Sequence, residues 1–134
     1  MPYCTLADLV TRFSEGEILD LADDGTGEVD QEVIDRAAED AGGEIDGYVA
    51  AAGYSVPLSP VPRIVTAYAC DIARYRLYDD RATDQVTKRY DDAIKFLKAV
   101  ARGEVLLGLP APAEESVGTA QFESGRNVFK GGGF

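Results

Sequence analysis

The chain divides into two chemically different parts, and that division limits the folds open to it. Up to about Arg102, apolar residues recur at helical spacing and are punctuated by capping residues. From Gly103 onward the sequence reads GEVLLGLPAPAEESVGTAQFESGRNVFKGGGF, with apolar residues scattered among Gly, Pro, Ser and charges. Such a segment has too little periodic apolar surface to build a core of its own. The expected architecture is all-α: a small bundle of about four principal helices over residues 1–103, followed by an extended arm over 104–134. Leu106, Leu107, Leu109, Phe122, Val128, Phe129 and Phe134 are the arm's apolar side chains, and a partner surface is their expected place of burial.

The helices can be read residue by residue. Thr5 and Asp8 form a capping box before Leu6, Leu9, Val10 and Phe13. Ser14 and Glu17 repeat the signal before Ile18, Leu19 and Leu21. Residues 31–52 carry Ile34, Ala38, Ala41, Ile45, Tyr48, Val49 and Ala52 near one stripe. Gly42, Gly43 and Gly47 interrupt it, which predicts either close helix approach or a break near 42–43. A connector with Pro57, Pro60 and Pro62 predicts an extended path. Val65, Tyr68, Ile72 and Tyr75 then mark another helix to about Asp80. Thr83 caps a further one carrying Val86, Tyr90, Ala93, Leu97 and Val100, ended by Gly103. The short link at Arg81–Ala82 makes these two an antiparallel hairpin.

Several chemistries fall away. The chain has no histidine, which removes Ser-His-Asp and Cys-His mechanisms and any imidazole ligand. Cys4 and Cys70 have neither CxxC nor zinc spacing and read as small buried hydrophobes. No phosphate-binding glycine motif stands between a strand and a helix. The adjacent pairs Asp79-Asp80 and Asp91-Asp92 point in different directions on a helix, so ion pairs such as Arg76–Asp80 and Lys88–Asp92 are expected instead. Asp71 and Arg74, one turn apart, form a candidate buried pair. Tyr68, Tyr75 and Tyr78 read as an aromatic core edge with hydroxyls reaching water.

The acidic loop from Asp23 to Asp30 invites a calcium reading. With Gly27 as the turn glycine, Asp24 and Asp30 fall at ligand positions. Ala22 and Val33 then occupy two positions that need oxygen, so the favoured reading is a turn with Asp30 as N-cap. No cofactor is expected, and no catalytic residue is assigned.

Thirteen basic and 24 acidic residues give a net charge of −11, which repels a polyanion at long range. The basic residues of the second half alternate with aspartates, the pattern of an ion-paired helix face and not of a nucleic-acid stripe. No apolar run approaches the ~20 residues of a membrane span, and the start lacks a signal-peptide pattern, so a cytoplasmic site of assembly is expected.

Taken in order, YCTLADLVTRF (3–13), EIDGY (44–48), PLSPVP (57–62), ACDIARYRLY (69–78), the helix of Tyr90–Gly103, LLGLP (106–110) and the terminal NVFKGGGF (127–134) resemble the Mu-like phage neck, or head–tail connector, family. The resemblance implies a helical structural subunit, not an enzyme. It implies a ring of copies beneath the portal protein that extends the DNA channel, meets a tail-completion protein and resides in the virion. DNA would pass through without specific binding, and no membrane is involved. Two other readings compete: an acidic regulatory module masking a basic partner, and a small enzyme using carboxylates or a divalent metal.

Overall fold

The computed structural model describes residues 2–109. Among these there are five α-helices and no strand: α1 Leu6–Arg12, α2 Glu15–Leu21, α3 Gln31–Ala51, α4 Arg63–Tyr78 and α5 Asp84–Ala101. A 3-10 turn, Asp79–Arg81, joins α4 to α5. The three long helices pack on one another, and α1 lies against α2 and α4.

Each helix begins where its local chemistry dictates. At α1 the Thr5 hydroxyl accepts from the Asp8 N–H (3.2 Å), while the Asp8 carboxylate accepts from the Thr5 N–H (3.0 Å). Ser14, Asp30 and Thr83 cap α2, α3 and α5 through their side-chain oxygens. Pro62 precedes α4 and serves as its cap without a side-chain bond. Gly103, at φ +80, lets the chain leave α5 in the left-handed conformation.

The helix stripes supply the core. Ile34, Ile45 and Val49 from α3, Val65 and Ile72 from α4, and Leu97 and Val100 from α5 are essentially inaccessible to water. Leu9 and Ile18 close one end from the short helices. Each large aliphatic buried in this way stabilises the fold by roughly 1.5–3 kcal/mol. α3 runs unbroken through Gly42 and Gly43, since Ala41 and Ile45 on either side are buried and hold it. Neither glycine is required for close approach. A Cβ at Gly42 would stand 3.9 Å from the Tyr3 ring, and one at Gly43 would meet nothing within 4 Å. The helix therefore carries two residues that each cost about 1 kcal/mol relative to alanine, with no packing return inside the described body.

The proline connector folds back onto the body. Tyr54 and Leu58 are buried, and the Leu58 N–H donates to the Tyr3 hydroxyl (2.8 Å). Val56–Pro57 and Ser59–Pro60 are cis. The connector is thus bent and anchored, not simply extended as its proline content predicts.

Packing also continues past residue 103. Val105 and Leu109 are half-buried against the core, and Leu107 is 7% exposed with its N–H donating to the Tyr54 hydroxyl (3.2 Å). Apolar side chains at 105, 107 and 109 fall on alternate positions, so one side of this stretch meets the body while Leu106 points away.

Candidate functional site

The polar side chains that might have supplied chemistry are largely engaged between helices. Arg74 on α4 is a buried charged residue; its Nε donates to Glu17 Oε2 on α2 at 2.7 Å. The same oxygen accepts from the Tyr78 hydroxyl at 2.8 Å. The Arg74 guanidinium also lies 4.2 Å from the centre of the Phe13 ring, a cation–π contact. Two residues along α4, Arg76 reaches the opposite way and donates to Glu44 of α3 at 2.9 Å. Glu44 accepts as well from the Tyr90 hydroxyl of α5 at 2.7 Å, and the Tyr90 ring stacks on Tyr75 with centroids 4.1 Å apart. Burial, then the hydrogen bond to Glu44, pushes the Tyr90 hydroxyl up to about 12.

These contacts correct three expectations. Arg76 pairs with Glu44 and not with Asp80, because α4 ends at Tyr78 and Asp79 at φ +57 turns the chain away. Asp71 and Arg74 do not pair: Arg74 is taken by Glu17, and Asp71 lies 3.8 Å from Arg89 of α5. Burial raises the Asp71 carboxyl against the pull of Arg89. The Tyr78 hydroxyl is bound by Glu17 and does not simply reach water. Lys88–Asp92 forms as expected at 3.1 Å, and Tyr68 packs against Phe96.

The acidic loop is satisfied internally. Asp23 Oδ1 accepts from the N–H groups of Gly25 (2.7 Å) and Gly27 (3.2 Å). Asp24 Oδ1 accepts from the Thr26 N–H (2.8 Å) and hydroxyl (2.5 Å), which hold its carboxyl below the usual range. Asp30 accepts from the Glu32 N–H as the α3 N-cap. Asp24 and Asp30 thus act as turn and cap residues, and no cluster of three metal-ligating side chains occurs among the described residues.

Cys4 and Cys70 are both buried and free. Their thiols are neighbours, which spacing alone did not reveal: the hydrogen bond to Cys70, and then burial, raises the Cys4 thiol well above its ordinary range. That direction opposes reactivity, since the thiolate is the nucleophile.

Of the seven partner-facing residues named from the sequence, Leu106 is 77% exposed, Leu107 is buried in the body and Leu109 is half-buried. Phe122, Val128, Phe129 and Phe134 lie outside the described residues.

One surface feature was missed in the sequence. A groove of about 610 Å³ lies along α3, lined by Tyr3, Ala38, Gly42 and Gly43 among others. Pro2 and Pro57 also line it, as do Asp35, Glu39 and Asp46 of α3. The 35–39–42–46 spacing places these residues on one helical face and is the signal that marks it. Asp46 accepts from the Tyr3 hydroxyl, which burial and this bond push up to about 12. Glu39 is exposed and has no ion-pair partner among the described residues.

No described helix is long and apolar enough to cross a membrane. Residues 3–124 match the model of the family described as Bacteriophage Mu, Gp36. The chain is 42% identical over 110 residues to the Mu-like prophage FluMu protein gp36 of Haemophilus influenzae, covering 77% of each chain. It is 31% identical over 134 residues to Gene product J of Escherichia phage Mu, covering 96% of this chain and 94% of that one. With nearly its whole length matched, and with an all-α body of the kind its periodicity implied, the chain belongs to the bacteriophage Mu Gp36 family of phage proteins.

Proposed function

We propose that the protein is a structural head–tail connector subunit: copies form a ring beneath the portal, extend the DNA channel, and present a surface to a tail-completion protein within the virion. The observation that carries this reading is how the described chain ends. Residues 2–109 bury a core among themselves, while Phe122, Val128, Phe129 and Phe134 lie outside the described residues. Leu106 stands 77% exposed near the end of the described residues. An apolar side chain left exposed beside a buried core, as Leu106 is, is what a heterologous interface consumes, one face of a subunit meeting a different face of its copy around a closing rotation. Membership of a phage Mu family fits the same role.

The charge supports passage of DNA without capture. At net −11, a channel wall built from this surface repels phosphate and lets the duplex slide. A predominantly basic lumen in the assembled ring would contradict this part.

The test is complementation of a prophage lacking this gene with a chain ended at residue 121. The expected result is filled heads without joined tails, seen by electron microscopy, against normal particles from the full chain. Infectious particles from the shortened chain would refute the reading.

A further inference from the structure

We propose that the α3 groove is the receptor for the carboxy-terminal segment Gly125–Phe134 of a neighbouring copy. The inference rests on the connector reading and gives it a specific subunit contact. Three observations converge on it.

The first is shape. The groove, at about 610 Å³, lies within the roughly 300–1,000 Å³ of sites that enclose a small ligand or a few side chains. Part of its lining is apolar, and at Gly42 and Gly43 it has no side chain, so a ring can rest directly on helix backbone there. The second is the glycines themselves. Both weaken α3, and no neighbouring atom of the described body crowds the space a Cβ would fill at Gly43. Bare backbone at that spot serves something that approaches from outside. The third is charge. Asp35, Glu39 and Asp46 line the groove, so it favours a cation. In this acidic chain, residues 125–134 carry Arg126 and Lys130, no acidic side chain, and the aromatic rings of Phe129 and Phe134. A basic, aromatic segment is the complement of an acidic groove with a partly apolar lining.

Reach permits contact between copies. At full extension the chain from Leu109 to Gly125 spans up to roughly 55 Å, more than the width of a domain whose radius of gyration is about 13 Å. An arm of that length can leave its own body and lie on the next.

The test uses full-length protein in isotopically heavy and light forms, mixed at high concentration, with Phe129 exchanged for photoreactive benzoylphenylalanine. Mass spectrometry should find heavy–light cross-links from position 129 to residues 35–46, with a yield that rises with concentration. Reversing the groove by Asp35→Lys with Glu39→Lys should lower that yield at least tenfold. Arg126→Glu with Lys130→Glu in the probe-bearing chain should restore it. Gly43→Ala should raise the melting temperature while lowering the yield, which separates a binding defect from misfolding. Cross-links confined to single chains, cross-links between chains at another surface, or no cross-links at all would each overturn the proposal. The connector reading is judged apart from it: a ring on the portal whose groove is empty of the arm sinks the contact and leaves the connector standing.

Discussion

Replacing Glu17 with alanine should destabilise the body by about 3 kcal/mol, whereas Arg74→Met should cost about 1 kcal/mol or less, and the difference is a test of how α2 is held to α4. The two side chains meet at 2.7 Å, with 11% of the Arg74 side chain exposed and 22% of Glu17. Removing the carboxylate strands a nearly buried guanidinium against the Phe13 ring and takes the acceptor from the Tyr78 hydroxyl. Breaking a buried pair from one side costs about 3–5 kcal/mol, and the partial exposure of this one places it at the lower end. Arg74→Met removes the buried charge, keeps the aliphatic packing on Phe13, and leaves the more exposed Glu17 to water and Tyr78.

Urea denaturation monitored by far-UV circular dichroism measures both variants. With m near 2 kcal/mol/M, a loss of about 3 kcal/mol moves the midpoint by about 1.5 M. The double variant should cost less than the sum of the two, by about 2 kcal/mol. Equal losses for the two single variants, or a loss below about 1 kcal/mol for Glu17→Ala, would mean that the pair behaves as a solvated surface contact and that this account of the cluster is wrong.

Two other perturbations follow from the same contacts. Tyr3 titrates at about 12 in the fold against 10.0 in the open chain, so its contribution of about 2–3 kcal/mol is complete below pH 10 and lost as pH rises from 10 to 12. Tyr3→Phe should flatten that alkaline limb in urea titrations and, by depriving the Leu58 N–H of its acceptor, cost about 1–3 kcal/mol at neutral pH; an unchanged limb would contradict the assignment. Cys4 and Cys70 should resist iodoacetamide in the native state and react at the rate of unfolding, followed by mass shift; rapid labelling of either thiol in folded protein would show that the site is open.

What the sequence disclosed is what short-range physics determines. The Thr5–Asp8 box, the caps at Ser14, Asp30 and Thr83, and the apolar stripes of α3 to α5 each depend on residues within a turn or two, and each is present. Partner choice among charges was not legible. Local spacing offered Asp80 to Arg76 and Asp71 to Arg74, but the tertiary fold brings Glu44 and Glu17 from 32 and 57 residues away. Gly103 terminates α5 as predicted, yet Leu107 returns to the core under Tyr54, and an apolar residue among glycines looks the same whether it folds back or leads outward. The 35–39–42–46 spacing marked one face of α3, but that this face is a groove depends on Tyr3 and Pro57 lying beside the helix, a meeting that spacing within α3 does not encode.

On the connector proposal, the placement of α4 suits a small body to act as a repeated part. Arg74 and Arg76, about 200° apart around the helix, send one guanidinium to α2 and the other to α3, while Tyr75 between them stacks on α5. A helix with only an apolar stripe slides and rotates at small cost. One pinned on three sides by directional contacts has a single register, the use for which buried polar groups are best attested. In a closed ring every angular error of one subunit is repeated by each copy, and closure fails when the errors add. If the connector proposal holds, a ring of this chain needs rigidity within the subunit more than it needs affinity between subunits. The buried Arg74–Glu17 contact supplies it at the point where the short amino-terminal helices, which contribute few core residues, would otherwise be free to drift. By this logic Glu17→Ala should impair ring closure even at temperatures where the body remains folded.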